Sequence, residues 1–307
     1  MSLLVVDPGF FTTVQDLGRP GARAFGVPLG GAADREAMAV ANALAGNAAD
    51  LAGLEMTLRG GTFEARCDLG VALAGAGMEA AIVGAGGRRA VPVPGSATMR
   101  AGDRLVLGRA EDGARTYLAT PGGFRTPAWM GSRSSETPWK AGDVLAAGPS
   151  RLASRRPADV VSADPSDPIR ILPGPDWPLL ADPGDLTRGP FRVDPRSSRM
   201  GLRLAGAPVA VAPTPERLSA PVTPGAVQAA GGTLLVLGVA CGTMGGYPHV
   251  AQVIAADLDR LGRLRPGDAA AFRVVALDEA RRLDREAREA LRARASRIRW
   301  AARDDVG

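Results

Sequence analysis

Residues 99–108 read MRAGDRLVLG, and their opening pattern returns twice, in WKAGDVLAAG (139–148) and LRPGDAAAF (264–272). Each copy has a hydrophobic residue, a basic residue, any residue, then Gly-Asp. Gly-Asp at the head of a short apolar run predicts a tight turn entering a β-strand, because glycine adopts the positive φ that such a turn needs. Working outward, the first and third copies follow strand-rich stretches of similar make-up, LGVALAGAG (69–77) and TLLVLGVACG (233–242). Two such stretches roughly half the chain apart predict a diverged internal duplication, and so two β-rich halves.

The rest of the chain agrees with a mainly β fold carrying a few helices. Its 40 glycines and 25 prolines punctuate short apolar runs such as RLVLG (104–108), TYLA (116–119) and IRILPG (169–174). That is the pattern of closed or sandwiched β-structure rather than of long alternating βα units. A stretch rich in Pro, Ser, Asp and Ala, without apolar periodicity, marks a boundary. The expected organisation is therefore an N-terminal half over 1–145, a linker over 146–167, a C-terminal half over 168–275 and a helix over 276–300. Helical periodicity is read at Asp34–Ala45, stopped by Gly46-Asn47, at His249–Leu261, and from Leu277 to about Ile298, with Leu283, Ala287, Ala290 and Leu291 as its apolar stripe. LAGAGMEAA (73–81) matches a dinucleotide-site pattern, but glycines at 84, 86 and 87 interrupt any following helix, so a β-hairpin is expected.

Composition excludes several functions. Of 307 residues, 46% are hydrophobic, enough for a substantial core, and no run approaches the ~20 apolar residues of a membrane helix. The start of the chain lacks the basic and apolar regions of a secretory signal, so a cytoplasmic protein is expected. Net charge is +5, but the excess sits largely in a C-terminal Arg/Glu run with no interleaved aromatics until Trp300, which argues against nucleic acid. Lys140 is the lone lysine, and WKAGD lacks the glycines of a phosphate-binding loop. Cys67 and Cys241 read as reduced thiols, and His249, the single histidine, excludes a zinc site built on two histidines of this chain. No metal is expected.

The densest polar row lies in FFTTVQDLGRPGARAFGVPLGG (10–31), where Thr13, Gln15, Asp16 and Arg19 are threaded with glycines. An amide, a carboxylate and a guanidinium beside glycine-lined backbone suit a small polar ligand with a carboxylate or ureido group. The same three side chains also suit a turn network that braces the loop. Asp34 and Asn42 lie about two turns apart on the next helix and are expected to face the same loop; an Asn42 amide bonded to loop backbone is the competing reading. Arg133 in GSRSS, Arg199 in SSRMGLRL, Gln228 in PGAVQ and Tyr247 in GGYP complete the candidate substrate-binding set, with Gln15, Asp16 and Arg19 as the catalytic candidates.

These motifs carry a resemblance. Together with YLATPGGFRTPAWMGSRSS (117–135), LPGP (172–175), GGYPHVAQVIAADLDRL (245–261) and LRPGDAAAF, the chain resembles the biotin-dependent carboxyltransferase-like family. That family includes allophanate hydrolase subunit 2, KipA and the C subunit of bacterial 5-oxoprolinase. The resemblance implies two cyclophilin-like β-barrel halves. It also implies a subunit that works with a subunit-B-like partner of the KipI or allophanate-hydrolase-subunit-1 type, with a subunit-A-like protein as a further candidate partner, on a small amide substrate. ATP would be held by a partner, or biotin presented by a separate carrier; none is expected to be bound by this chain. Three activities follow from it: ATP-dependent opening of 5-oxoproline to glutamate, biotin-dependent carboxyl transfer, and non-catalytic KipA-type regulation. The chain departs from the family pattern at Ala220, Ala240, Gly242 and Met244, where the resembling motifs carry two acids, an amide and a hydroxyl.

Overall fold

The computed structural model describes residues 2–157, 167–213 and 218–301. The chain divides into two compact units that interleave in sequence: residues 1–18, 30–161 and 290–307 form the first, and residues 19–29 and 162–289 the second. The sequence pattern predicts consecutive halves instead. Both units are built mainly of strands, with three α-helices among the described residues.

The first unit has two sheets. The six-stranded sheet runs in the order Val144–Ala146, Ser2–Asp7, Thr62–Ala65, Arg104–Ala110, Met78–Gly84, Gly87–Ala90. The five-stranded sheet runs Phe11–Gln15, Gly53–Thr57, Arg115–Ala119, Leu69–Gly75, Gly95–Met99. Alternation sends Leu3, Val5, Phe63, Leu105 and Ile82 of the first sheet into one core with Leu54, Met56, Leu73 and Leu118 of the second. Helix α1 (Arg35–Leu44) covers the far face of the five-stranded sheet, packing Met38, Val40 and Leu44 on Ala72, Ala74, Tyr117 and Ala119. Small residues there let the helix approach, and burial on both faces explains why Leu69–Gly75 reads as a nearly continuous apolar run. Asp34 caps α1 by accepting the Ala37 amide at 3.0 Å, and Gly46 ends it at φ 75°.

The second unit is an eight-stranded sheet in the order Ala269–Ala270, Phe191–Val193, Gly201–Ala205, Thr233–Leu237, Ala226–Ala230, His249–Val253, Ile169–Pro173, Phe272–Val274. Only Ala271 separates its two outermost strands, so one run of chain forms both ends and nearly closes the sheet into a barrel. Leu202, Leu204, Val227, Leu234, Val236 and Val253 fill it. A two-stranded ribbon pairs Ala220–Pro221 with Met244–Gly245.

The three Gly-Asp turns are one structure used three times. Gly102, Gly142 and Gly267 have φ of 88°, 92° and 89°. In each turn the Asp amide donates to the carbonyl of the basic residue three positions back, at 3.0, 3.1 and 3.0 Å. The basic residue's amide in turn reaches the Asp carboxylate at 2.9, 2.7 and 2.8 Å. Each turn also docks on a strand in the same way: its glycine amide donates to Ala65, Val5 or Val193, whose own amide donates back to the Asp carbonyl. Lys140 is accounted for as a residue of such a turn.

Four expectations change. His249–Val253 is a strand, followed by a 3₁₀ turn at Ala255–Asp257 and a short α2 (Leu258–Arg263), because pairing on both sides outweighs the helical periodicity of that run. The strands flanking Gly75–Met78 lie in different sheets, so LAGAGMEAA is a crossover and not a hairpin. Part of the expected linker runs along the Gly95–Met99 strand, with Ser96 and Arg155 exchanging amide bonds at 3.1 and 3.2 Å and Thr98 Oγ1 donating to Leu152 O at 2.8 Å; residues 158–166 of that linker lie outside the described residues. Helix α3 (Leu277–Ala301) keeps Leu283 and Leu291 partly covered but leaves Ala287 and Ala290 exposed, so its stripe is interrupted in the middle.

Candidate functional site

In the first unit, the polar row sits on the Phe11–Gln15 strand. Val14 enters the core while Thr13 and Gln15 share the opposite face, and all three are buried. Residues 135–139 run beside this strand, with Ser135 N donating to Val14 O at 3.0 Å and Trp139 N to Thr12 O at 2.9 Å. The Gln15 Nε2 group donates to Ser135 O at 2.8 Å and to Thr13 Oγ1 at 2.9 Å. A carbonyl only accepts, so the Ser135 contact fixes which way the amide points. Gln15 Oε1 is then left buried without a hydrogen-bond partner.

Asp16, also buried, organises the adjoining loop. Its Oδ1 accepts from Ser132 Oγ and Ser134 Oγ, each at 2.6 Å, and from Gly18 N at 2.7 Å, while Oδ2 accepts from Arg133 N at 2.6 Å. Burial alone pushes this carboxyl upward, but the two hydroxyls and two amides outweigh it and hold it below its ordinary range. The loop it grips contains a tight reversal in which Trp129 and Ser132 exchange amide bonds at 2.8 and 3.1 Å, with Met130 at φ 49° and Gly131 at φ 78°. On the other side, Ala32 N donates to Asp16 O at 2.9 Å, and a Cβ on Gly31 would lie 2.8 Å from Gly18 N, so only glycine permits that approach.

A second buried network ties the start of α1 to the sheet. Tyr117 OH donates to Glu55 Oε2 at 2.7 Å and accepts from Asp34 N at 2.8 Å; Ala33 N donates to the same Glu55 oxygen at 2.9 Å. Arg115 Nε lies 3.3 Å from Glu55 Oε1, both side chains buried. Burial, then the charges of Glu55 and Asp34, raise the Tyr117 phenol well above its ordinary pKa. Sequence reading missed Glu55, Arg115 and Tyr117, as well as Ser132 and Ser134. A glutamate inside the otherwise apolar strand GLEMT, and alternate serines in GSRSS, were the signals.

The other candidates in this unit make bonds of their own. Asn42 donates to Leu51 O at 2.8 Å and accepts from Asn47 Nδ2 at 2.9 Å, so it braces the 47–51 turn rather than facing the polar row. Asp34 is the α1 cap. Arg133 contributes its backbone amide to Asp16, while its exposed guanidinium bonds Thr126 O.

In the second unit, Arg19 is half-buried and its amide donates to Leu29 O at 2.8 Å, closing a loop around the 3₁₀ turn Ala22–Phe25. Arg23 clamps this loop to its unit by donating to Val222 O and to Gly242 O at 3.0 Å, with Cys241 Sγ 4.0 Å away. Burial raises the Cys241 thiol pKa, against the pull of Arg23. Gln228 Nε2 donates to Tyr247 O at 3.2 Å; a Cβ on Gly245 would lie 2.6 Å from that nitrogen, which accounts for the glycine. Tyr247 is 53% exposed, and Arg199 is buried, with its carbonyl accepting from Ala240 N at 3.1 Å. Among the departing positions, Ala240 is buried, Ala220 is half-buried, and Gly242 and Met244 are exposed on the ribbon side.

The fold and these motifs have relatives. A family model described as "Carboxyltransferase domain, subdomain A and B" matches residues 25–274. The chain is 36% identical to the C subunit of 5-oxoprolinase from Escherichia coli over 291 residues, covering 91% of this chain and 93% of the relative. A crystal structure of TTHA0988 superposes with TM-score 0.78 at 34% identity, covering 89% of this chain and 55% of that one. The urea carboxylase structure of Kluyveromyces lactis superposes with TM-score 0.85 at 25% identity, covering 95% of this chain and 29% of that one. With a family match over most of its length and a relative aligned nearly end to end, the chain belongs to the carboxyltransferase domain family, subdomains A and B.

Proposed function

We propose that this chain is the C subunit of an ATP-dependent 5-oxoprolinase-like complex, opening 5-oxoproline to glutamate together with a subunit-B-like partner. The observation that carries this reading is Gln15 Oε1, a buried acceptor whose direction is fixed by Ser135 and which lacks a donor. Such a group costs about 1–3 kcal/mol while unpaired, a cost recovered when a ligand N–H reaches it. A lactam supplies one N–H in the ring plane, so an amide acceptor on a rigid strand, with Thr13 beside it, suits that substrate. Asp16 is assigned a positioning role: its four bonds hold the 132–135 segment whose Ser135 carbonyl orients Gln15. The match to the 5-oxoprolinase C subunit, which covers 91% of this chain and 93% of that one, supports this reading, whereas the chain covers only 29% of the urea carboxylase relative.

ATP binding is assigned to the partner. A second reading, carboxyl transfer from a biotin carrier, is favoured by the family match and would use the same acceptor on a ureido N–H. Regulation without catalysis is the third, favoured by the apolar Met244 and the lost polar groups in the second unit.

The test is ATP-dependent glutamate release from 5-oxoproline by this chain assembled with its cognate partners, with and without avidin. Avidin-insensitive release that requires this chain is expected. Avidin-sensitive activity would shift the assignment to carboxyl transfer, and a tight complex without either activity would shift it to regulation.

A further inference from the structure

Away from the polar row, the first unit holds a cleft of about 780 Å³ between the hairpin formed by Met78–Gly84 and Gly87–Ala90, the end of Gly95–Met99, and residues 151–153. Its charged lining is Asp68, Arg89, Arg100, Asp103 and Arg151, three guanidiniums against two carboxylates. Both carboxylates are already committed to the scaffold. Asp68 accepts from Ala101 N at 3.3 Å and pairs with Arg151 at 2.7 Å. Asp103 accepts from Arg100 N at 2.9 Å within its turn, and only a Gly84 without a side chain lets it lie there, since a Cβ would sit 1.7 Å from its Oδ1.

The cations are less completely matched. Arg89 donates to Thr98 O and stands 3.8 Å from Asp103, beyond hydrogen-bonding distance. The Arg100 guanidinium makes no hydrogen bond or ion pair with any described residue; the Asp68 carboxyl is held below its ordinary range chiefly by its bonds from Arg151 and Ala101 N, with Arg100 adding the smallest pull. Beside these charges, the part-exposed Leu152 gives the cleft an apolar wall, and the hairpin tip is bare backbone: Gly86 and Gly87 have nothing within 4 Å of where a Cβ would stand. A concave surface of this size, with an apolar wall and a few convergent polar groups, has the make-up of a small-molecule site.

We infer that this cleft is a second binding site, for a small organic anion whose carboxylate or phosphate pairs with Arg100 and Arg89 while an apolar body lies against Leu152 and the glycine tip. Guanidinium pairs carboxylate and phosphate alike, through paired N–H donors, so the two sources share one chemistry and must be separated by probe. The site lies outside the Gln15 region and does not depend on the function proposed above.

Isothermal titration of the full chain with phenyl phosphate and with phthalate, at low and at physiological salt, tests it. Saturable binding of at least one probe is expected, weakening as salt rises. Arg100→Ala, at an exposed residue, is expected to weaken it at least tenfold. Gly86→Phe, at a position with ordinary φ and open space, is expected to abolish it by filling the cleft, with circular dichroism unchanged in both variants. Preference for phenyl phosphate identifies a phosphate ester as the ligand class, and preference for phthalate a carboxylate. Saturation by neither probe, or equal binding by the wild type and Arg100→Ala, overturns the site.

Discussion

Asp16 and Gln15 are adjacent in sequence yet hold different positions in the chemistry of the loop. Asp16 is fully satisfied by four donors, whereas Gln15 is satisfied on one side only. Because the folded-state pKa of Asp16 is lowered, its contribution to stability is complete above the unfolded carboxyl value of ~3.9 and is lost as pH falls toward the lowered folded value. Asp16→Asn is therefore expected to cost about 2 kcal/mol in urea unfolding at pH 7, with the gap from wild type narrowing steadily below pH ~4. Tyr117 gives the opposite sign: its raised phenol stays neutral in the folded protein. In a Tyr247→Phe variant, which leaves Tyr117 as the only tyrosine, absorbance at 295 nm should stay flat past pH ~10 until the protein unfolds in alkali. Sequence alone brought Thr13, Gln15 and Asp16 into view because polar residues beside glycine stand out in an apolar chain. It left Asn42 between facing that loop and bonding loop backbone because spacing along a helix does not say which backbone carbonyls lie opposite. The Asn42 partner, Leu51 O, is set by how the 47–51 turn folds back.

The Gly-Asp turn is the element on which the fold was legible. Its five-residue pattern specifies a φ, two internal hydrogen bonds and a docking contact, and all three copies carry them out alike. Since nothing lies within 4 Å of a Cβ at Gly102, Gly142 or Gly267, the cost of alanine there is backbone strain alone. Each Gly→Ala change is expected to destabilise by about 1–3 kcal/mol, against less than ~0.5 for Gly86→Ala, whose φ is ordinary; thermal unfolding measures the contrast. The strand His249–Val253 was not legible for the converse reason. HVAQV has both a helical and an alternating reading, and its neighbours on either side in the barrel decide between them. The end of LGVALAGAG likewise carries no local sign that the next strand joins another sheet.

At the scale of the whole molecule, two β-rich units were foreseen from the repeat, but their interleaving was not. Residues 19–29 join the second unit through Arg23 bonds to Val222 and Gly242, contacts some 200 residues away that no local pattern announces. Arg23→Ala removes that clamp, and limited proteolysis should then cut between Gly18 and Leu29 several-fold faster than in the wild type, while cleavage elsewhere is unchanged. The proposed activity rests on the first unit supplying an acceptor that a partnered complex puts to use. Its most direct test is discrimination between 5-oxoproline and the matching lactone, in which ring oxygen replaces N–H, measured as KM against inhibition constant in the assembled complex. The wild type is expected to favour the lactam by about 10–100-fold, with Gln15→Met reducing that preference to near unity by weakening the lactam and leaving the lactone unchanged. An undiminished preference in Gln15→Met would contradict the assignment of Gln15 as the group that receives the substrate N–H.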